Sequence, residues 1–256
     1  MEKKKCNMSM VLYELRNING NLLPHFFGII FPNFMCYFLA KSVGGQVPAQ
    51  MRQEVATTIV LTMTLVMPMA IMLLGYGAVY SQEVEREIPL RMHLFGLEEK
   101  SIMLAKIIAH FILLTIAFVI FAVFQTIVMD IQKPVFSSLL CLLVSLYLIG
   151  AIFLIIAHAI ANIFRKFSIT FGVGMILYFA MMILTGMMGM RTEQLPVALQ
   201  KVAYTLPMTY ISNDFIEFWQ GGSYNFMPFI QSFLFMGAAA GLLLLFSQYK
   251  NRRIMR

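Results

Sequence analysis

The chain has 256 residues, of which 60% are hydrophobic and only 12% are charged, and its formal net charge is +7. A water-soluble domain carries about 25% charged residues. The composition therefore excludes an ordinary soluble enzyme or binding domain, and much of the surface is expected to face lipid.

Six apolar runs are each long enough to cross a bilayer core, which takes about 20 residues of helix. The runs are continuously apolar and lack the alternation of barrel strands, so they are predicted to be helices. No linker or repeat divides the chain, which predicts an all-α polytopic membrane protein with one domain over residues 1–256. The six predicted spans cover residues 22–40, 55–80, 103–129, 135–162, 168–190 and 226–247.

The segment before the first run predicts a helix lying at the membrane surface. Glu14, Arg16 and Asn17 fall off its apolar stripe, and a frayed leader is the alternative. The lysines at positions 3–5 do not begin a signal peptide, because the apolar run that follows is too long and begins too late. The stripe at helical spacing consists of Met8, Val11, Leu12, Leu15 and Ile18.

Charge asymmetry predicts the orientation. Six spans place both termini on one side, and 14 of the 19 lysines and arginines fall on that side. Lysine and arginine concentrate in cytosolic loops, so both termini are predicted to be cytosolic. The basic excess then indicates attraction to anionic lipid and not nucleic-acid binding.

The three cysteines, Cys6, Cys36 and Cys141, do not share an exposed outer loop. We therefore predict no disulfide.

A compact charged block separates the second run from the third. A solvent-exposed loop would explain the charges of this block. It would not explain the apolar residues at helical spacing directly after them. The block includes Glu83, Val84, Glu85, Arg86 and Glu87.

A short amphipathic helix is predicted after this block, at about residues 89–95. Leu90 and Leu94 share one face, Pro89 suits a first helical turn, and Gly96 suits the position after a helix end. Glu87 lies near the positive end of that helix, where an acidic residue is favourable. Such a helix is typical of a docking site for a cytosolic partner.

The segment between the fifth and sixth runs, residues 191–225, is long and semi-apolar. We predict two short helices there, broken at Pro207 and dipping back into the outer leaflet. Tyr210 and Trp219 are expected at the head-group level, which aromatic residues prefer.

His158 and Asn162 lie four residues apart on one helix face, a spacing that intramembrane proteases of the prenyl-processing type use. Their signature also needs an arginine, which the pair Glu98-Glu99 lacks, and no second histidine helix offers metal geometry. We predict a hydrogen-bonded pair here, with a membrane-embedded hydrolase as the alternative function.

Two places resemble the type-2 permeases of ABC exporters. One is Glu85-Arg86-Glu87 with the short helix after it and Lys106 opening the third run. The other is Leu206-Pro-Met-Thr-Tyr210, followed by Asp214 and two glycines before the last run. The chain departs from the family pattern at residues 88–89, where Ile-Pro replaces the frequent Gly-Thr.

The resemblance implies a permease subunit in a bacterial inner or cytoplasmic membrane that moves an apolar or amphipathic substrate outward by alternating access. A second permease and a separate ATP-binding subunit would be its partners, with no nucleic acid. No Gly-x-x-x-x-Gly-Lys-Ser/Thr loop occurs, so ATP and Mg²⁺ are expected on that partner and no cofactor or metal on this chain. A non-transporting sensor or immunity subunit of the same fold is a further alternative.

The resemblance also implies two groups of site residues. The first would couple the permease to the ATPase subunit: Glu83, Glu85, Arg86, Glu87, Leu90, Leu94 and Gly96. The second would shape the outer gate: Pro207, Tyr210, Asp214 and Trp219.

Overall fold

A computed structural model describes residues 7–189 and 191–254. Within that part the chain is helical and has no strand. Six helices are long and apolar enough to cross a membrane, so the prediction of an all-α polytopic membrane protein is confirmed. These first to sixth spans are Leu22–Gly44, Ala49–Glu85, Lys100–Val128, Phe136–Phe164, Phe167–Leu184 and Phe226–Asn251.

Five shorter α-helices accompany the spans in the described ranges. One precedes the first span, one follows the second, and three lie between the fifth and the sixth, after a 3-10 turn at Thr192–Gln194. They are α1 (Met8–Asn19), α2 (Ile88–Leu94), α3 (Val197–Ala203), α4 (Pro207–Asn213) and α5 (Phe215–Trp219).

The second span is the centre of the bundle. Of its most apolar stretch 89% is buried inside the protein, against 22% to 44% for the other spans. The first, third, fourth and fifth spans pack around it, and the sixth packs against the fourth. Four spans therefore cover most of the second span.

The first and second spans approach each other through two π-helical segments, Phe26–Ile30 and Met69–Tyr76. A proline precedes each segment, Pro24 in one span and Pro68 in the other. Proline lacks the N–H that the regular helical ladder needs, and π turns are one way to accommodate this loss. A Cβ on Gly75 would lie 2.7 Å from the Pro24 side chain, so glycine is required for this contact.

The fifth span ends at Leu184, earlier than predicted. Gly186 adopts φ 81°, its N–H donates to the Ile183 carbonyl, and Met187 N–H donates to the Met182 carbonyl. This pair of hydrogen bonds terminates a helix at a glycine. The predicted boundary at residue 190 lies outside the described residues.

The prediction of two outer helices broken at Pro207 is wrong, because the structure has three, α3 to α5. Pro207 is the first residue of α4 and does not interrupt a helix. Proline is tolerated there because the first N–H of a helix has no partner within that helix.

Helix α1 is well formed, so the frayed leader is not observed. The Asn7 side chain accepts a hydrogen bond from Met10 N–H and caps the helix. The buried face consists of Val11, Glu14 and Ile18 and packs along the third span. Of the predicted stripe, Val11 and Ile18 belong to this buried face, whereas Met8 and Leu12 are exposed.

Two of the three cysteines, Cys36 and Cys141, are free thiols. Cys6 lies outside the described residues, as do the lysines at positions 3–5 and Arg256.

Candidate functional site

Helix α2 follows a sharp reversal of the chain at the end of the second span. Arg86 N–H donates to the Gln82 carbonyl and closes that span. Glu87 then adopts the left-handed conformation, with φ 57°, and α2 begins at Ile88 with Pro89 in its first turn. The reversal lets a new helix start within three residues of the span.

The other end of α2 is closed as the sequence predicts. Gly96 has φ 83°, and its N–H donates to the His93 carbonyl over 3.0 Å. Leu97 N–H donates to the Met92 carbonyl over 3.1 Å. These two bonds satisfy the last carbonyls of α2, so the helix has defined ends despite its seven residues.

An apolar face of α2 is left without a partner in the described structure. Leu90 is 55% exposed, Leu94 is 74% exposed, and Phe95, just after the helix, is 80% exposed. Charged Arg91 and the imidazole of His93 are exposed beside them. Apolar side chains rimmed by polar ones mark interaction surfaces.

A buried cluster of three charges lies near the end of the second span, before α2 begins. The Lys106 ammonium lies 2.8 Å and 2.7 Å from the two carboxylate oxygens of Glu14. It also donates to Glu83 Oε1 over 2.7 Å. We call these three residues the triad; Glu14 and Lys106 are each 2% exposed and Glu83 is 6% exposed.

The triad joins α1, the end of the second span and the start of the third. Asn17, one turn after Glu14, donates its side-chain N–H to Glu83 Oε1 over 2.7 Å. Two carboxylates share one ammonium, so the ionised triad has a net charge of −1. Burial raises the pKa of Glu14 above its ordinary value, and the Lys106 charge opposes this increase.

Sequence reasoning missed the triad, because it placed Glu14 off the buried stripe of α1. The available signal is the spacing of Glu14 three residues after Val11 and four before Ile18, which puts all three on one face. Glu83 was expected at a partner interface but points inward to Lys106.

Glu85 connects the charged block to another span. Its Oε2 accepts a hydrogen bond of 2.8 Å from the N–H of Phe167, the first residue of the fifth span. A carboxylate at the positive end of a helix is favourable. Within the block only Glu83 is buried, and Glu85, Arg86 and Glu87 are exposed. Glu83 and Glu85 nevertheless bond to other elements.

His158 lies in a polar network between the second and fourth spans. Its Nδ1 is 2.8 Å from the Tyr76 hydroxyl, and its Nε2 is 2.8 Å from Asn162 Nδ2. Tyr80 donates to Asn162 Oδ1 over 3.2 Å, and its ring stacks on His158. Both ring nitrogens are therefore hydrogen-bonded within this network.

The part of the chain that the structure describes contains no group of three or more His, Cys, Asp or Glu that could hold a metal ion.

Residues 191–225, which the charge bias predicts on the outer side and which we call the outer segment, are anchored to the loop between the third and fourth spans. Trp219 Nε1 donates to the Gln132 carbonyl over 2.9 Å, and Val135 N–H donates to the Trp219 carbonyl over 3.3 Å. Tyr210, on α4, donates its hydroxyl proton to the Tyr204 carbonyl over 2.9 Å. These bonds place α4 and α5 over the outer ends of the second, fourth and sixth spans.

Further neutral hydrogen bonds hold α4. Ser212 Oγ donates to the Thr185 carbonyl at the end of the fifth span over 2.5 Å. Asn213 Nδ2 donates to Thr192 Oγ1 over 3.1 Å. Pro207 is buried at the start of the helix.

Asp214 follows α4 directly, in an acidic surrounding. Burial raises the pKa of Asp214, and the negative charges of Glu217 and Glu193 raise it further.

Six spans, a capped helix with an unpartnered apolar face at one end and a packed segment at the other define a polytopic membrane protein. The model of the ABC-2 type transporter family matches residues 10–215, and the chain belongs to this family. It is thus a permease subunit of an ABC transporter, and such permeases typically work with an ATP-binding subunit. No curated protein and no solved structure matches the chain significantly.

Proposed function

We propose that the chain is the membrane subunit of an ATP-driven exporter and that α2 is the docking site of its ATP-binding subunit. The observation that carries this proposal is the apolar face of Leu90, Leu94 and Phe95, exposed on a helix whose two ends are fixed. A rigid helix can transmit a displacement to the elements that hold it, whereas a frayed loop absorbs it.

Two connections lead from α2 into the bundle. Glu85, three residues before α2, holds the N-terminus of the fifth span. Glu83, five residues before α2, reaches the third span and α1 through Lys106 and Glu14. A displacement of α2 therefore acts on several spans at one end of the bundle.

The other parts of the proposal follow from this arrangement. The end that carries α2 faces the cytosol of a bacterium, as do both termini. Two permeases enclose the pathway, access to it alternates as the partner hydrolyses ATP with Mg²⁺, and an apolar or amphipathic substrate leaves on the far side. The segment with Pro207, Tyr210, Asp214 and Trp219 forms the exit.

The first experiment is affinity purification of the chain from its native membrane in mild detergent. An ATP-binding subunit is expected to co-elute in near-equal amount. The double variant Leu90→Ser with Leu94→Ser is expected to lose most of that subunit, because it removes the exposed apolar face. Its thermal midpoint should stay close to that of the wild type, since exposed substitutions change stability by about 0.5 kcal/mol or less.

The matched control is Arg91→Ser, which changes an exposed residue of the same helix and leaves the apolar face intact. Equal loss of the partner in this control would refute the assignment of the docking face. Elution of the wild-type chain without any nucleotide-binding protein would refute the exporter proposal itself.

Charge reversal separates the two roles within the block. Glu87→Lys changes an exposed side chain that bonds to no other span in the described part of the chain, so it tests contact with the partner, with a small cost from the cation at the start of α2. Glu85→Lys puts a cation at the N-terminus of the fifth span, where it is unfavourable. It should therefore impair transport even where the partner stays bound, which a vesicle transport assay measures beside co-purification.

Two alternatives make different predictions. A hydrolase that uses His158 should lose its activity in His158→Ala, whereas a permease in which His158 only links Tyr76 and Asn162 should keep its partner. A sensor or immunity subunit would bind the same partner without moving a substrate, and the vesicle assay distinguishes this function.

A further inference from the structure

A cavity of about 330 Å³ lies between the start of the first span and the end of the second. The first span begins at Leu22 and the second ends at Glu85, so the cavity is at the boundary between the apolar bundle and water. Its walls come from the end of α1, the link to the first span and the last turns of the second. The lining residues are Asn17, Gly20, Asn21, Leu22, Val79, Gln82, Glu83, Arg86 and Ile88.

The inner wall of the cavity is negative. Glu83 is 94% buried, and its Oε1 accepts hydrogen bonds from Lys106 and Asn17. Its Oε2 has no hydrogen-bond partner among the described residues. The triad to which Glu83 belongs carries a net charge of −1, so a cation in the cavity would complete both the hydrogen bonding and the charge balance.

The mouth of the cavity is positive. Arg86 is exposed and makes no salt bridge within the described part of the chain. Leu22 is the first residue of the first span, whose N–H groups give that end a partial positive charge. An anionic group at the mouth would therefore be favourable, since Arg86 and Glu83 line the same cavity.

We infer that this cavity binds the head group of a phospholipid with a primary ammonium, as in phosphatidylethanolamine. The ammonium donates to Glu83 Oε2, and the phosphate pairs with Arg86. Leu22, which is 74% exposed, offers an apolar surface to the acyl chains. The inference does not rest on the proposed ATPase partner.

Two features select this head group over others. A quaternary ammonium has no N–H to donate, and its binding sites are built from aromatic rings; none of the nine lining residues is aromatic. A purely anionic head group would place negative charge beside Glu83 without neutralising it. The site therefore discriminates against both phosphatidylcholine and phosphatidylglycerol.

The test uses the full-length chain reconstituted in nanodiscs with equal amounts of these three lipids, all with identical acyl chains. After release into mild detergent, native mass spectrometry counts the retained lipids. Phosphatidylethanolamine should be retained about tenfold more than either other lipid, the ratio expected for one charge-assisted hydrogen bond. Its mono- and dimethylated derivatives should be retained progressively less, since each methyl removes a donor.

Variants locate the site. Arg86→Gln should lower the retention of phosphatidylethanolamine about tenfold, because it removes the phosphate partner. Arg91→Gln neutralises an exposed arginine outside the cavity and should leave retention unchanged. Glu83→Gln should abolish the preference over phosphatidylcholine, and the methylation series on the wild type provides the same information if this variant does not fold.

Three results would overturn the inference. One is equal retention of phosphatidylethanolamine and phosphatidylcholine, and another is preferential retention of phosphatidylglycerol. The third is displacement of the lipid by soluble glycerophosphoethanolamine at equal concentration, which would assign the cavity to a soluble ligand of the same chemistry.

Discussion

The two ends of the bundle are held together by different chemistry. At the end that carries α2, the connections are the buried triad of Glu14, Glu83 and Lys106 and the carboxylate of Glu85 on a helix N-terminus. At the outer end, α4 and α5 are held by neutral donors such as Ser212 and by aromatic packing. In the described ranges every salt bridge belongs to the triad.

The difference indicates which end is suited to move. A buried ion pair adds little net stability, because desolvation offsets the attraction, but the loss of one partner is strongly destabilising. Each neutral hydrogen bond between a side chain and the backbone adds a modest amount to the free energy of unfolding. Because loss of one charge is costly, we interpret the triad as a connection that stays intact and moves together with the elements it joins, and the outer end as a region held by contacts of modest individual strength.

The largest effect is expected for Lys106→Met, which leaves two carboxylates buried without a cation. We expect a loss of about 3–5 kcal/mol in the free energy of unfolding, measured by thermal or denaturant unfolding in detergent. Lys100→Met, at an exposed position earlier in the same helix, is the matched control. Equal loss in both variants would show that the triad has no special role.

A smaller effect is expected at the outer end for Ser212→Ala. The variant removes the donor to the buried Thr185 carbonyl and should lower stability by about 1–3 kcal/mol. Ser223→Ala, in the same segment but exposed, should have no measurable effect. A loss for Ser212→Ala that matches the loss for Lys106→Met would remove the contrast between the two ends.

The smallest effect is a change in pH dependence. Burial raises the pKa of Glu14 in the folded protein above its unfolded value of 4.5, so the native state binds this proton more tightly. The resulting stability is fully present below pH 4.5 and is lost as the pH rises through the folded pKa.

Glu14→Gln should therefore flatten the decrease in stability from pH 4.5 towards neutral pH, and it leaves Lys106 paired with Glu83 alone. Thermal midpoints of both proteins across this pH range provide the measurement. Parallel curves for the variant and the wild type would contradict the assignment of the raised pKa to Glu14.

The position and class of α2 could be predicted, because its signals are local. The spacing of Leu90 and Leu94, the early Pro89 and the terminating Gly96 all act within one short segment. The roles of Glu83 and Glu85 could not be predicted, because their partners Lys106 and Phe167 lie 23 and 82 residues away along the chain.

The outer segment shows the same limit. Pro207 signals a helix boundary, but a proline is compatible with the end of one helix or the start of the next. The helix starts there because α4 packs on the outer ends of the spans, where Ser212 reaches the end of the fifth. This choice depends on contacts that no local pattern contains.

The sequence by itself determined that this protein is a six-span helical membrane subunit with a short apolar helix after the second span, since hydropathy, charge bias and helix-end signals act over one helix length or less. Only the tertiary structure decided which acidic residues are exposed and which are buried, and that a cavity of about 330 Å³ forms beside them. The physical reason is that burying an ionised carboxylate is costly unless a cation reaches it, and packing brings Glu14, Glu83 and Lys106 together from three separate elements.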